Sequence, residues 1–137
     1  MAYWLMKAEP EDYDWARLVA DGQTEWAGVR NYQAALNMRA MRLGERAFFY
    51  RSVVEPAIVG VMEVAREAYP NPDEPEGKFC RVGVRPVTPA AREVSLKEIK
   101  AEPRLAGMAL LRQSRLSVSP VGEEHWRLLC GMAGVEA

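Results

Sequence analysis

Three short stretches of this chain gather side chains that can stack on, or hydrogen-bond to, a planar heterocycle. Lys7-Ala8-Glu9-Pro10 puts a cation and a carboxylate at the end of an apolar run. Residues 26–33 hold the Trp26 indole, Arg30, Asn31, Tyr32 and Gln33. Arg112-Gln113-Ser114-Arg115-Leu116-Ser117 sets two guanidinium groups among hydroxyls, at Ser114 and Ser117. A flipped or single-stranded base asks for such a set: an aromatic wall for the ring, amides or carboxylates for its polar edge, arginines for the flanking phosphates. Each piece also has an ordinary reading. Trp26 can be a packing residue, Asn31 a helix N-cap, Arg112 and Arg115 solvated strand-edge groups, and Lys7 with Glu9 a surface pair of little worth.

Other chemistries lack their parts. His125 is the single histidine, and Cys80 and Cys130 stand far apart with no CxxC partner, so zinc-ligand spacing is absent. No GxxxxGK[ST] loop and no GxGxxG following a strand is present, which removes the usual phosphate cradles. Asp73, Glu74 and Glu76 sit in a proline-rich stretch and read as a solvated loop rather than a cation site. The expectation is a binder without metal or cofactor. The rival is an enzyme acting on nucleic acid or a nucleotide, with Glu9 as general base beside Lys7. An adaptor working through the acidic loop at 69–77 has only that loop's exposure behind it.

The elements that must position these groups follow from patterning. With 137 residues and 15.4 kDa, 49% apolar and 27% charged, the composition is that of one globular domain, taken here as 1–137. Lys+Arg number 18 against 19 Asp+Glu, a net charge of −1, so any anion site must be a local cluster. The opening residues have no signal-peptide pattern and no run reaches a membrane span, which predicts a soluble cytoplasmic monomer with no membrane partner. Two cysteines predict buried free thiols. Apolar runs predict strands at 3–6, 47–50, 57–65, 79–87 and 114–118. A helix opening at Pro10 is expected to run to Asp21-Gly22, a second to start at an Asn31 cap and reach Leu43-Gly44, a third to open on a Ser95/Glu98 capping box, and a last to span 120–131. Adjacent strands without βαβ alternation indicate an α+β domain: a small, partly closed mixed sheet with helices outside.

At the same stretches the chain resembles the EVE domain family. The resemblance spans Tyr3 to about Met132 and rests on Tyr3-Trp4-Leu5-Met6-Lys7-Ala8-Glu9-Pro10, Trp26-Ala27-Gly28-Val29-Arg30-Asn31-Tyr32-Gln33-Ala34 and Phe48-Phe49-Tyr50-Arg51-Ser52. It continues through Gly60-Val61, Glu67-Ala68-Tyr69-Pro70 and Ser114-Arg115-Leu116-Ser117-Val118. It implies a PUA-like pseudo-barrel related to the YTH readers of methylated adenine. The implied function is binding of nucleic acid, DNA or RNA, that carries a modified base, with modified cytosine in DNA the leading case. Carried onto this sequence, Trp26 becomes a stacking or cage residue. Lys7, Glu9, Asn31 and Tyr32 line or orient the pocket, beside Gln33, with Ser52 on the rim. Arg30, Arg112 and Arg115 meet the backbone, next to Ser114 and Ser117. Two positions depart from the family pattern: Ala8 stands where serine is common and Arg51 where histidine is common. The second replaces a neutral donor and acceptor by a fixed cation, which predicts a shift of recognition toward phosphate or an acidic edge.

Overall fold

A computed structural model of the chain describes residues 1–27, 31–73 and 79–137. Six strands form one sheet: β1 (Tyr3–Ala8), β2 (Thr24–Trp26), β3 (Arg46–Arg51), β4 (Ala57–Pro70), β5 (Cys80–Ser95) and β6 (Val118–Val121), in the order β2-β5-β4-β3-β1-β6. β1 and β3 pair in parallel and every other pair is antiparallel. The long β4/β5 ribbon shifts register at four places, and β3/β4 shifts once. Such bulges bend strands and raise their twist. The helices are α1 (Trp15–Asp21), α2 (Tyr32–Ala40), α3 (Leu96–Ala101), α4 (Ala109–Arg112) and α5 (Glu123–Ala133), with a 3₁₀ turn at Pro103–Leu105.

Alternation along the strands feeds two cores, one per face. Trp4 and Met6 of β1 and Phe49 of β3 join Ala34, Met38 and Met41 with Val82, Val84 and Val118. α2 packs on β4, β5 and β6, so it bridges β5 to the far edge strand and draws the sheet toward a pseudo-barrel. Leu5, Phe48 and Tyr50 point the other way, into a core with Ile99, Leu105, Leu110, Trp126 and Leu129. There the Trp126 ring stacks on Phe48 at 4.0 Å and on Tyr3 at 4.6 Å. Gly60 is required by contact: a Cβ there would lie 2.6 Å from the Trp15 ring. Cys80 and Cys130 are buried and free, and burial pushes the Cys130 thiol up to about 11. Among the described residues, no helix is long and apolar enough to cross a membrane.

The mixed α+β sheet agrees with the sequence expectation, while several boundaries move. The first helix starts at Trp15, not Pro10, because the Asp14 side chain accepts from the Arg17 N–H at 2.9 Å and caps it there. Residues 9–13 instead make a turn in which the Glu9 carbonyl accepts from Asp12 and Tyr13. Asn31 does cap α2, accepting from the Ala34 N–H at 2.9 Å, but that helix stops at Ala40. β4 and β5 run well past their apolar cores, and the last strand begins at Val118 rather than Ser114.

Candidate functional site

The parallel pairing of β1 with β3 sets Lys7 opposite Tyr50 and Ala8 opposite Arg51, so the two strands end together. The chain leaving each strand must turn away at the same sheet edge. A cavity of about 1100 Å³ opens there, closed in by residues 7–9, by β2 with Ala27 and Asn31, by the loop after β3, by Leu96 and Lys100 of α3, and by residues from α4 to Ser117. Segments distant in sequence therefore share one hollow. That arrangement suits a small ligand, since binding pockets are concave and mostly apolar with a few convergent polar groups.

Lys7 laces its walls together. Its ammonium donates to the Ser114 carbonyl at 2.9 Å, and its backbone N–H donates to the Ser117 carbonyl at 2.9 Å. Burial lowers the Lys7 pKa, and the ammonium stands 5.9 Å from the Tyr50 ring centre. Burial also pushes the Tyr50 phenol up to about 12, so it stays a neutral hydroxyl at physiological pH. Across the hollow lie three carboxylates, Glu9, Asp12 and Glu25; Lys100 and Arg115 add cations to the rest of the lining. Glu25 accepts from the Tyr69 hydroxyl at 2.8 Å and sits 3.8 Å from the Arg66 guanidinium. The hollow thus holds both signs, able to meet an amino edge and a phosphate at once.

Of the residues singled out in the sequence, Lys7, Glu9, Trp26, Asn31, Ser52, Ser114, Arg115 and Ser117 come together in this lining. Trp26 is more a core residue than an open platform. It is 7% exposed, with the Phe49 ring edge-on at 5.5 Å, and turns only a margin to the cavity. Tyr32 does not line the pocket: it is 60% exposed and stacks on Phe79 at 5.6 Å. Gln33 is also off the lining, because its amide donates to Asn37 Oδ1 at 3.1 Å, and the Asn37 amide in turn donates to the Val118 carbonyl at 2.7 Å. Arg112 ends α4 as an exposed cation outside the lining, and Arg30 falls outside the described residues.

Arg51, the position where histidine is common in the family, is held by groups of the fold itself. Its two terminal nitrogens donate to Glu93 at 2.7 and 3.1 Å, and it also donates to the carbonyls of Val54 and Glu55. Both charges are spent on each other: the Arg51 partnership holds the Glu93 carboxyl below the usual range. The cation points away from the cavity and braces the loop at its rim. Glu9 is exposed, Lys7 turns to Ser114, and among the described residues no ion pair joins them. Sequence reasoning passed over Tyr50, Glu25 and Lys100. Tyr50 sits inside an apolar run that reads as pure core, and only the non-local β1/β3 pairing brings it to the site.

The sequence matches the family model described as EVE domain over residues 2–132. Thymocyte nuclear protein 1 of Rattus norvegicus is 34% identical over 168 residues, covering 98% of this chain and 74% of that protein. Among solved structures, Rpa0253 from Rhodopseudomonas palustris superposes with a TM-score of 0.93 at 50% identity, over 98% of this chain and 94% of that one. Human THYN1 protein in complex with 5-methylcytosine-containing DNA superposes with a TM-score of 0.91 at 33% identity, over the whole of both chains. The YTH domain of Zygosaccharomyces rouxii MRB1, in complex with N6-methyladenosine RNA, shares the fold at a TM-score of 0.63 and 11% identity, over 99% and 89% of the two chains.

Proposed function

This chain belongs to the EVE domain family, and on that premise we propose that it is a non-catalytic reader of modified bases in nucleic acid, holding one extruded base in the cavity at the ends of β1 and β3. The observation that carries this reading is the hollow itself. Seven residues marked out by their base-binding chemistry, together with Ser52 from the family resemblance, converge on it, from stretches up to about a hundred positions apart, in a fold that matches a DNA-bound relative from end to end.

In this reading the Trp26 margin and the Tyr50 ring form the flat walls. The carboxylates of Glu9 and Glu25 accept from an exocyclic amino group, and the Asn31 and Ser52 side chains complete the polar edge. Arg115 and Lys100 take the phosphates on either side, and Arg112 extends that cationic side. Extrusion costs a few kcal/mol and stacking returns ~1–3 kcal/mol, so edge bonds and phosphate contacts must supply the margin. The expected affinity is moderate and salt-sensitive.

The deciding experiment is a binding screen at fixed salt against oligonucleotides that each carry one different modified base, with modified cytosines and adenines in DNA and RNA. One modification bound in preference to its plain counterpart supports the reading; equal binding of all members overturns it. Incubating the protein with the same oligonucleotides, with and without Mg²⁺, and weighing the products by mass spectrometry tests the non-catalytic part, for which no mass change is expected.

A further inference from the structure

The loop between β3 and β4 carries features that seating a base does not explain. Val53 and Val54 are 69% and 58% exposed, two adjacent apolar side chains in solvent at the mouth of the cavity. Val53 has φ 70 and Glu55 φ 45, both in the left-handed region. For a β-branched residue that conformation is an outlier, and such strain persists only where the surroundings impose it. Here the imposing group is Arg51. Its guanidinium donates to the carbonyls of Val54 (3.2 Å) and Glu55 (2.8 and 3.0 Å), and is itself fixed by Glu93. The Val54 N–H donates to the Ser52 carbonyl at 2.8 Å, and the Ser52 N–H donates to the Ala8 carbonyl at 2.9 Å, so the loop is tied to the end of β1. With its polar groups gathered inward, the tip presents its methyl groups outward.

The loop also stands between two hollows. Val53 lines the base cavity, Glu55 lines a second hollow of about 710 Å³ together with Lys97, and Pro56 and Lys100 line both. A rigid apolar tip beside a pocket for one base, with cations close by, has the form of a wedge. We propose that residues 52–56 are such a wedge: when a base leaves a duplex for the cavity, Val53 and Val54 enter the stack and fill the space it vacated. Lys97 and Lys100 are placed to take the adjoining phosphates, and the Arg51–Glu93 pair keeps the tip rigid enough to part the bases. The proposal rests on the modified-base reading and adds that the substrate is duplex rather than single-stranded.

Val53→Gly tests it, because glycine adopts φ 70 freely while removing the wedge. Binding of the wild type, Val53→Gly and Val53→Leu is measured on one oligonucleotide bearing the preferred modified base, both single-stranded and paired, with 2-aminopurine next to that base to report unstacking. Val53→Gly is expected to keep or raise Tm, to bind the duplex about ten-fold more weakly with loss of the fluorescence rise, and, because Val53 also lines the cavity, to lose no more than about two-fold on the single strand. Val53→Leu is expected to restore duplex binding. Unchanged duplex binding by Val53→Gly overturns the wedge and leaves the reader intact. An equal loss on both substrates also overturns it, making the loop mere pocket wall. A wild type that shows no preference for the modified base even in the single strand overturns the underlying reading, and the wedge with it.

Discussion

Glu45 shows how closely single residues are accounted for in this fold. It is 6% exposed, and its carboxylate accepts from the Trp4 indole at 3.0 Å, the Ala2 N–H at 2.9 Å and the Arg42 N–H at 2.8 Å. Burial works against its charge, yet these donors together, the Trp4 bond first, hold its carboxyl below the ordinary range. A buried charge is tolerable only when so bonded. The unfolded chain therefore takes up its proton more readily than the folded one, so this contribution is complete above the ordinary carboxylate pKa and is lost as pH falls through the lower folded value. Glu45→Gln is expected to lower the unfolding free energy by ~1–3 kcal/mol at neutral pH, as one amide cannot repeat three acceptances. Urea titrations at pH 7 and at about pH 3 check this, with the gap between wild type and variant narrowing at the acidic end. A gap of equal size at both values would assign the loss to shape rather than charge.

At the scale of elements, Asn31 does two jobs, since it caps α2 and lines the cavity. Asn31→Ala is expected to cost ~1 kcal/mol of stability and also weaken binding, whereas Asn31→Ser keeps a cap and loses the amide. Thermal melts of both, beside their affinity for the preferred base, separate the roles: Ser should match the wild type in Tm and still bind more weakly. Caps of this kind were legible in the sequence because they are local, and the Ser95/Glu98 capping box stands as read, with both of its bonds present. The ends of β4 and β5 were not legible. Past Val64 the chain turns polar at Arg66 and Glu67, and only cross-strand pairing, such as Arg66 with Gly83, keeps it extended. The 114–118 run alternates like a strand, yet the ladder starts at Val118 and continues through Pro120, which an edge strand tolerates because it bonds a neighbour on one side only. For the site, side-chain chemistry marked seven of the lining residues, and the family resemblance added Ser52. Lys100 and Tyr50 stayed hidden because their place depends on pairing across the sheet and on where α3 packs.

Across the whole molecule, charge is balanced at −1, but the balance is unevenly spread. Many arginines are held by acids on the fold itself: Arg51 by Glu93, Arg81 by Asp73, Arg85 by Glu63, Arg92 by Glu98, Arg104 by Glu102 and Arg127 by Glu123. Exposed pairs of this kind add little stability, yet each removes a cation from the field that a polyanion meets. Among the described residues, Arg115 and Lys100 at the cavity and Lys97 and Arg112 near it enter no ion pair. Arg17, Arg42 and Arg46 enter none either, so the cations at the hollow are one part, not the whole, of the positive charge left open to a phosphate backbone. Each phosphate neutralised releases condensed counterions, so the logarithm of affinity falls with the logarithm of salt in proportion to the number of such contacts. Arg115→Ala is expected to weaken modified and plain oligonucleotides about equally and to reduce the magnitude of that slope by ~1. Titrations of both oligonucleotides over a range of salt concentrations measure slope and preference together. If the variant lost only its preference for the modified base and kept the wild-type slope, Arg115 would be reading the base, and the division between a selective hollow and a cationic rim would fail.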